Sequence, residues 1–160
     1  MKKRSRTVLL ITLLLLGIFI ILKSLLLPYF VEKRNKSLLT RLMDVELRNY
    51  MVFNAFIHDI EKETDWQILI TSGYRTVEEQ EILKKRDARN ARAGQSKHNF
   101  GKAIDINLYQ STWMTGKWLL KSSPKKHWED SDVLKIAKRY NLKWGGDFKL
   151  YYDPVHFEIE

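Results

Sequence analysis

The sequence predicts an α+β domain of helices and short strands behind an N-terminal membrane-spanning helix. Three observations predict it. Residues 8–22 (Val-Leu-Leu-Ile-Thr-Leu-Leu-Leu-Leu-Gly-Ile-Phe-Ile-Ile-Leu) carry no charge. Apolar residues recur at helical spacing between 33 and 63 and again between 132 and 140. Short runs at 66–71, 102–108 and 156–160 are strand-like in length or alternation. At 160 residues the chain has room for one domain and an appendage.

The apolar run pauses at Lys23 and Ser24 and resumes through Leu25, Leu26 and Leu27 to Pro28. About 20 helical residues, rising about 1.5 Å each, match the hydrocarbon core of a bilayer. Lys23 is placed to snorkel to the interface. The basic start (Lys2, Lys3, Arg4, Arg6) favours a cytoplasmic N-terminus, although Lys33, Arg34 and Lys36 weaken the asymmetry. A cleaved signal peptide is the competing reading. It would need a small-x-small site, and Lys-Ser-Leu-Leu-Leu-Pro-Tyr-Phe offers none. The expected organisation is a single-pass anchor in the cytoplasmic membrane (1–28), a helical stalk and packing helix (29–63), and a catalytic domain outside that membrane (64–160).

The net charge of +9 comes from 28 Lys and Arg against 19 Asp and Glu. Five of the basic residues lie in the first 27 positions, so the rest is only mildly basic, and nucleic acid is not an expected partner. With no cysteine, disulfides and thiolate metal sites are excluded.

Beyond the anchor, Leu38, Leu39, Leu42 and Met43, then Phe53, Phe56, Ile57 and Ile60, predict one or two helices. His58 reads as a surface or packing residue. Trp66–Thr71 is a strand bounded by Ser72-Gly73. Thr76 and Glu79 have capping-box spacing and open a helix through Leu83. The basic residues of 84–102 read as a solvated face and loop. In 102–108, Ile104, Ile106 and Leu108 share one face of a strand, while Ala103, Asp105 and Asn107 share the other. Residues 109–129, with Trp113, Trp118 and Trp128, show no period and are expected to be a long loop or insertion. Asp132–Tyr140 is an amphipathic helix with Asn141 as C-terminal cap, Trp144–Phe148 a turn, and His156–Glu160 a strand with Phe157 and Ile159 inward.

Three residues point to chemistry. His98, Asp105 and His156 offer two imidazoles and a carboxylate, a ligand set that leaves zinc a fourth position open. Asp153, three residues before the last ligand, is a candidate general base. Arg75 follows a strand and precedes a helix, where it could stabilise a developing oxyanion or clamp a carboxylate. Taken singly, each is as readily a capping, turn or ion-pair residue. His127 with Glu129 and Asp130 is a weaker rival cluster.

The blocks Ser72-Gly-Tyr-Arg-Thr76 with Gln80, Ser96-x-His98-x-x-Gly101-x-Ala103-x-Asp105, Trp144-Gly-Gly-Asp147 and Asp153-Pro-Val-His-Phe-Glu158 occur in order. Together they resemble the zinc D-alanyl-D-alanine carboxypeptidase and L-alanyl-D-glutamate peptidase family of peptidoglycan hydrolases. The resemblance implies a small antiparallel sheet flanked by helices, the fold shared with the Hedgehog signalling domain. It also implies Zn2+ on His98, Asp105 and His156, Asp153 as general base and Arg75 near the transition-state oxygen. Glu158, Ser96 and Gln80 are expected to support these groups from behind, a purely structural role being an equally ready reading of Glu158. The Asp153-x-x-His156-Phe-Glu form and the Trp-Gly-Gly-Asp turn are more similar to the endopeptidase branch found in phage endolysins, though the anchor suits a cell-resident wall enzyme. The expected activity is hydrolysis of peptidoglycan stem peptides by an L-alanyl-D-glutamate-type endopeptidase. The alternatives are a D-alanyl-D-alanine carboxypeptidase and a zinc-stabilised wall-binding module without turnover.

Overall fold

The computed structural model describes residues 2–110 and 116–160, with side chains described from residue 8 in the first stretch. The chain divides into two compact units, Met1–Lys33 and Arg34–Glu160.

Helix α1 (Lys2–Val45) contributes the whole of the first unit and opens the second. Its residues from Val8 onward form a helix long and apolar enough to cross a membrane. Between Val8 and Leu26 the leucine, isoleucine and phenylalanine side chains are almost all exposed, so this part of α1 does not belong to a soluble core. The hydroxyls of Thr12 and Ser24 donate to the carbonyls of Val8 and Ile20, as polar groups surrounded by apolar ones must. Proline lacks an N–H and usually kinks or ends a helix. Here α1 continues through Pro28, further than the apolar run alone predicts.

In the second unit, the end of α1 closes the edge of strand β1 (Gln67–Ser72). Asn35 Nδ2 donates to Ile68 O at 2.8 Å, and Ile70 N donates to Asn35 Oδ1 at 2.9 Å. Arg34 adds bonds to the carbonyls of Ile70 and Thr71. An uncovered edge strand would otherwise offer these groups to another chain. Helix α2 (Leu47–Glu63) begins at Glu46, whose carboxylate accepts from Arg48 N, and it buries Phe53, Phe56, Ile57 and Ile60. Helix α3 (Val77–Arg86) starts with the expected reciprocal capping box: Glu79 N donates to Thr76 Oγ1, and Thr76 N to Glu79 Oε2.

The central strand β2 (Ala103–Gln110) pairs antiparallel with β1 on one side and β5 (His156–Ile159) on the other. Strand β4 (Leu142–Trp144) closes the order β1-β2-β5-β4, and β3 (Lys117–Leu119) pairs with the far end of β2. Ile104, Ile106 and Leu108 are buried against Phe56, Trp128 and Phe157, which accounts for the alternation in the sequence. Helices α4 (Lys125–Glu129) and α5 (Val133–Arg139) complete the layer, with Asn141 in the left-handed region after α5 at φ 52°.

Residues 109–129 differ from the expected loop. Within them β2 runs on to Gln110, and β3 and α4 follow; Trp113 lies outside the described residues. Elements of three and five residues are too short to leave a period in a sequence. Trp128 is fully buried, and the exposed Trp118 stacks on Tyr109 at 5.0 Å. In β5, Phe157 is buried as expected. Ile159 is half-buried and Glu158 is the more enclosed of the two.

Candidate metal centre and active-site cleft

Sheet register brings the site together. Asp105 on β2 stands directly opposite His156 on β5, and on its other side opposite Ser72, where β1 carries an irregularity. Immediately after Ser72, the Gly73 carbonyl accepts from His98 Nδ1 at 2.7 Å. His98 lies in a short 3-10 turn (Lys97–Phe100) that ends on Gly101 in the left-handed region, φ 61°. A side chain at 101 would be strained by that φ and would press on Leu42 at 3.0 Å. Asn49 holds the Gly101 carbonyl from α2 at 3.1 Å.

One ligand atom from each of His98, Asp105 and His156 lies within 4.8 Å of the other two. Because a carbonyl can only accept, the Gly73 bond fixes the proton of His98 on Nδ1 and leaves Nε2 as a lone pair. That Nε2 faces Asp105 Oδ1 at 3.3 Å. His156 Nε2 donates to Glu158 Oε2 at 3.0 Å, which turns Nδ1 toward the same Asp105 Oδ1 at 2.9 Å. Two nitrogens and a carboxylate oxygen crowded together need positive charge among them. Burial pushes the His156 imidazole toward neutrality. Its hydrogen bonds to Asp105 and Glu158 outweigh that and raise its pKa to about 9. Burial alone would raise Asp105, but its contacts with the His98 and His156 imidazoles hold it well below the usual carboxylate range. Glu158 is held low chiefly by its hydrogen bond to His156. The donor set, with each imidazole's second nitrogen already engaged, fits a divalent ion of the zinc type.

The centre sits in a cleft of about 560 Å³ lined by Arg75, His98, Asp105, Tyr151, Asp153 and His156. Asp153 places Oδ2 3.0 Å from Lys121 Nζ, while its Oδ1 is buried without a hydrogen-bond partner among the described residues. Arg75 is held from behind. Its Nη2 donates to Ser72 Oγ at 2.7 Å and its Nη1 to the buried Gln80 Oε1 at 2.5 Å; Gln80 in turn donates to Ala91 O. Burial lowers the Arg75 pKa, with Asp105 and Glu79 opposing. Arg75 Nη2 lies 3.9 Å from Asp105 Oδ2. Ser96 lines the cleft, and it is its carbonyl rather than its hydroxyl that starts the 3-10 turn, accepting from Asn99 N.

The Trp-Gly-Gly-Asp motif seats the loop that carries Asp153 and His156. Trp144 Nε1 donates to Pro154 O at 2.7 Å, and Asp153 N donates to Gly145 O at 3.1 Å. A Cβ at Gly145 would collide with the Asp153 carbonyl, so this close approach requires glycine. The rival cluster does not converge. Glu129 and Asp130 turn to Lys125 and Lys126, and His58 is exposed. Sequence reasoning missed Lys121, which lies in the stretch without a period and carries no local signal.

Residues 89–159 match the family model described as D-alanyl-D-alanine carboxypeptidase. The peptidoglycan L-alanyl-D-glutamate endopeptidase CwlK of Bacillus subtilis is 33% identical over 102 residues, covering 58% of this chain and 60% of that protein. The chain thus spans less than two thirds of this curated relative. Among solved structures, the L-Ala D-Glu endopeptidase ChiX of Serratia marcescens superposes with a TM-score of 0.55 at 18% identity, covering 79% of this chain and 86% of ChiX. VanYB in complex with D-alanine-D-alanine superposes with a TM-score of 0.51 at 16% identity, covering 71% and 70%. The two structures share the fold, a small antiparallel sheet with helices, and the family resemblance read from the sequence is borne out.

Proposed function

We propose that this chain, which resembles the D-alanyl-D-alanine carboxypeptidase family through residues 89–159, is a zinc peptidase of peptidoglycan stem peptides. Its α1 segment would anchor it in the cytoplasmic membrane with the peptidase domain outside. The observation that carries the reading is a metal-capable triad and an unpaired buried carboxylate oxygen lining one cleft.

His98 Nε2, Asp105 and His156 Nδ1 would hold the ion. When bound, zinc supplies Lewis-acid polarisation of the scissile carbonyl and makes water more acidic. Asp153 Oδ1 accepts the proton of the attacking water and later gives it to the leaving amine. Arg75, kept in place by Gln80 and Ser72, faces the negative charge that develops on the carbonyl oxygen. Glu158 orients the His156 ring through Nε2. The similarity to an L-alanyl-D-glutamate endopeptidase at 33% identity favours cleavage inside the stem.

Purified sacculi digested with the full chain in detergent, followed by mass spectrometry of the products, test the bond. New termini between L-alanine and D-glutamate support the endopeptidase. Free D-alanine alone would replace it with the carboxypeptidase reading. Asp153→Ala should lower turnover by about 10²–10⁴-fold while the metal content stays that of the wild type. Wall binding without turnover in both forms would favour a binding module.

A further inference from the structure

We propose that Lys121 is the positioning residue of the general base: it fixes one oxygen of the Asp153 carboxylate so that the other is left free for the proton. The inference rests on the peptidase reading above. A carboxylate has two equivalent oxygens on a softly rotating bond. Here they are unequal. Oδ2 is held by Lys121 Nζ at 3.0 Å, and Oδ1 is buried with no partner among the described residues. Buried unpaired acceptors are costly and rare, so one lining a cleft beside a metal-capable triad is an acceptor waiting for a donor. Among the described residues, Lys121 is the side chain that hydrogen-bonds the Asp153 carboxylate.

The lysine is itself seated. It lies in a turn closed by Ser123 N donating to Leu120 O and Leu120 N donating to Ser123 Oγ, each at 2.9 Å. The fully buried Trp128 donates Nε1 to Leu120 O at 3.3 Å, and Tyr152, the residue before Asp153, donates its hydroxyl to Ser123 O at 3.0 Å. The turn carrying Lys121 and the loop carrying Asp153 are therefore tied to each other. The Lys121 side chain is 67% exposed against 19% for Asp153. Ion pairs with an exposed partner add little to stability, so the effect of this one belongs in the rate.

The test compares the full-chain wild type with Lys121→Ala and Lys121→Arg on a soluble L-alanyl-γ-D-glutamyl stem peptide. It reads kcat and KM separately, with metal content, melting temperature and a crystal structure of Lys121→Ala. Lys121→Ala should lower kcat by roughly 10–100-fold, less than removal of the base itself, with KM, metal content and melting temperature unchanged. Lys121→Arg should recover most of the loss, and the Asp153 side chain should rotate in Lys121→Ala. An unchanged kcat, a loss confined to KM (which makes Lys121 a substrate contact), no recovery with arginine, or an unmoved Asp153 each overturns the inference. If the wild type cleaves no stem peptide, the peptidase reading is what fails, and the rotamer in the crystal still decides the role of Lys121.

Discussion

Gly145→Ala should damage the enzyme through the backbone of the loop that carries the base and a ligand. A Cβ at 145 runs into the Asp153 carbonyl, and stands 2.9 Å from His156 Cβ and 3.2 Å from Phe148 Cε2. The first obstacle is backbone held at both ends: Asp153 N donates to Gly145 O, and His156 N donates to Asp153 O. It cannot swing aside as a flexible side chain would, so the loop has to shift. Overpacking of this kind costs about 1–3 kcal/mol. Replacing glycine also stiffens the unfolded chain, which returns about 0.4–1 kcal/mol. The net destabilisation is at most about 2.6 kcal/mol, a fall in melting temperature of up to roughly 10 °C for a domain of this size. Activity should suffer more than stability. A shift of about 1 Å at a reacting group costs around 10²-fold in rate, and both Asp153 and His156 move with this loop. Thermal unfolding followed by circular dichroism, with kcat on a stem peptide, reads both effects. A variant with wild-type melting and wild-type kcat would refute the claim that Gly145 sets the position of the 153–156 loop.

Glu158→Gln removes the charged acceptor behind His156 Nε2. Zinc affinity, measured by competition with a chelator, should fall about 10–100-fold, and an unchanged affinity would show that Glu158 does not orient the ligand. Asn35→Ala deletes two of the hydrogen bonds that cover the β1 edge and takes the Asn35 partner from Ile68 O and Ile70 N. Two bonds at about 0.5–1.5 kcal/mol each, less up to about 0.7 kcal/mol of helix propensity gained by alanine, predict a loss of about 0.3–3 kcal/mol in a urea titration. No loss would mean that α1 does not support that edge.

By itself the sequence determined which residues were available and much of the local structure. Uncharged residues 8–22 specify an apolar helix because length and composition are local properties. Thr76 and Glu79 specify a helix start because the capping box closes within four residues. The alternation of 102–108 assigns Asp105 to the face opposite the core. Residues 109–129 were opaque because β3 and α4 are too short to carry a period, and Lys121 was hidden among them. Tertiary structure alone decided that Asp105 stands across from His156, that Gly73 turns the ring of His98, and that Lys121 reaches Asp153 across 32 positions. Strand register and loop seating are settled by contacts between distant segments, so no local pattern in the chain encodes them.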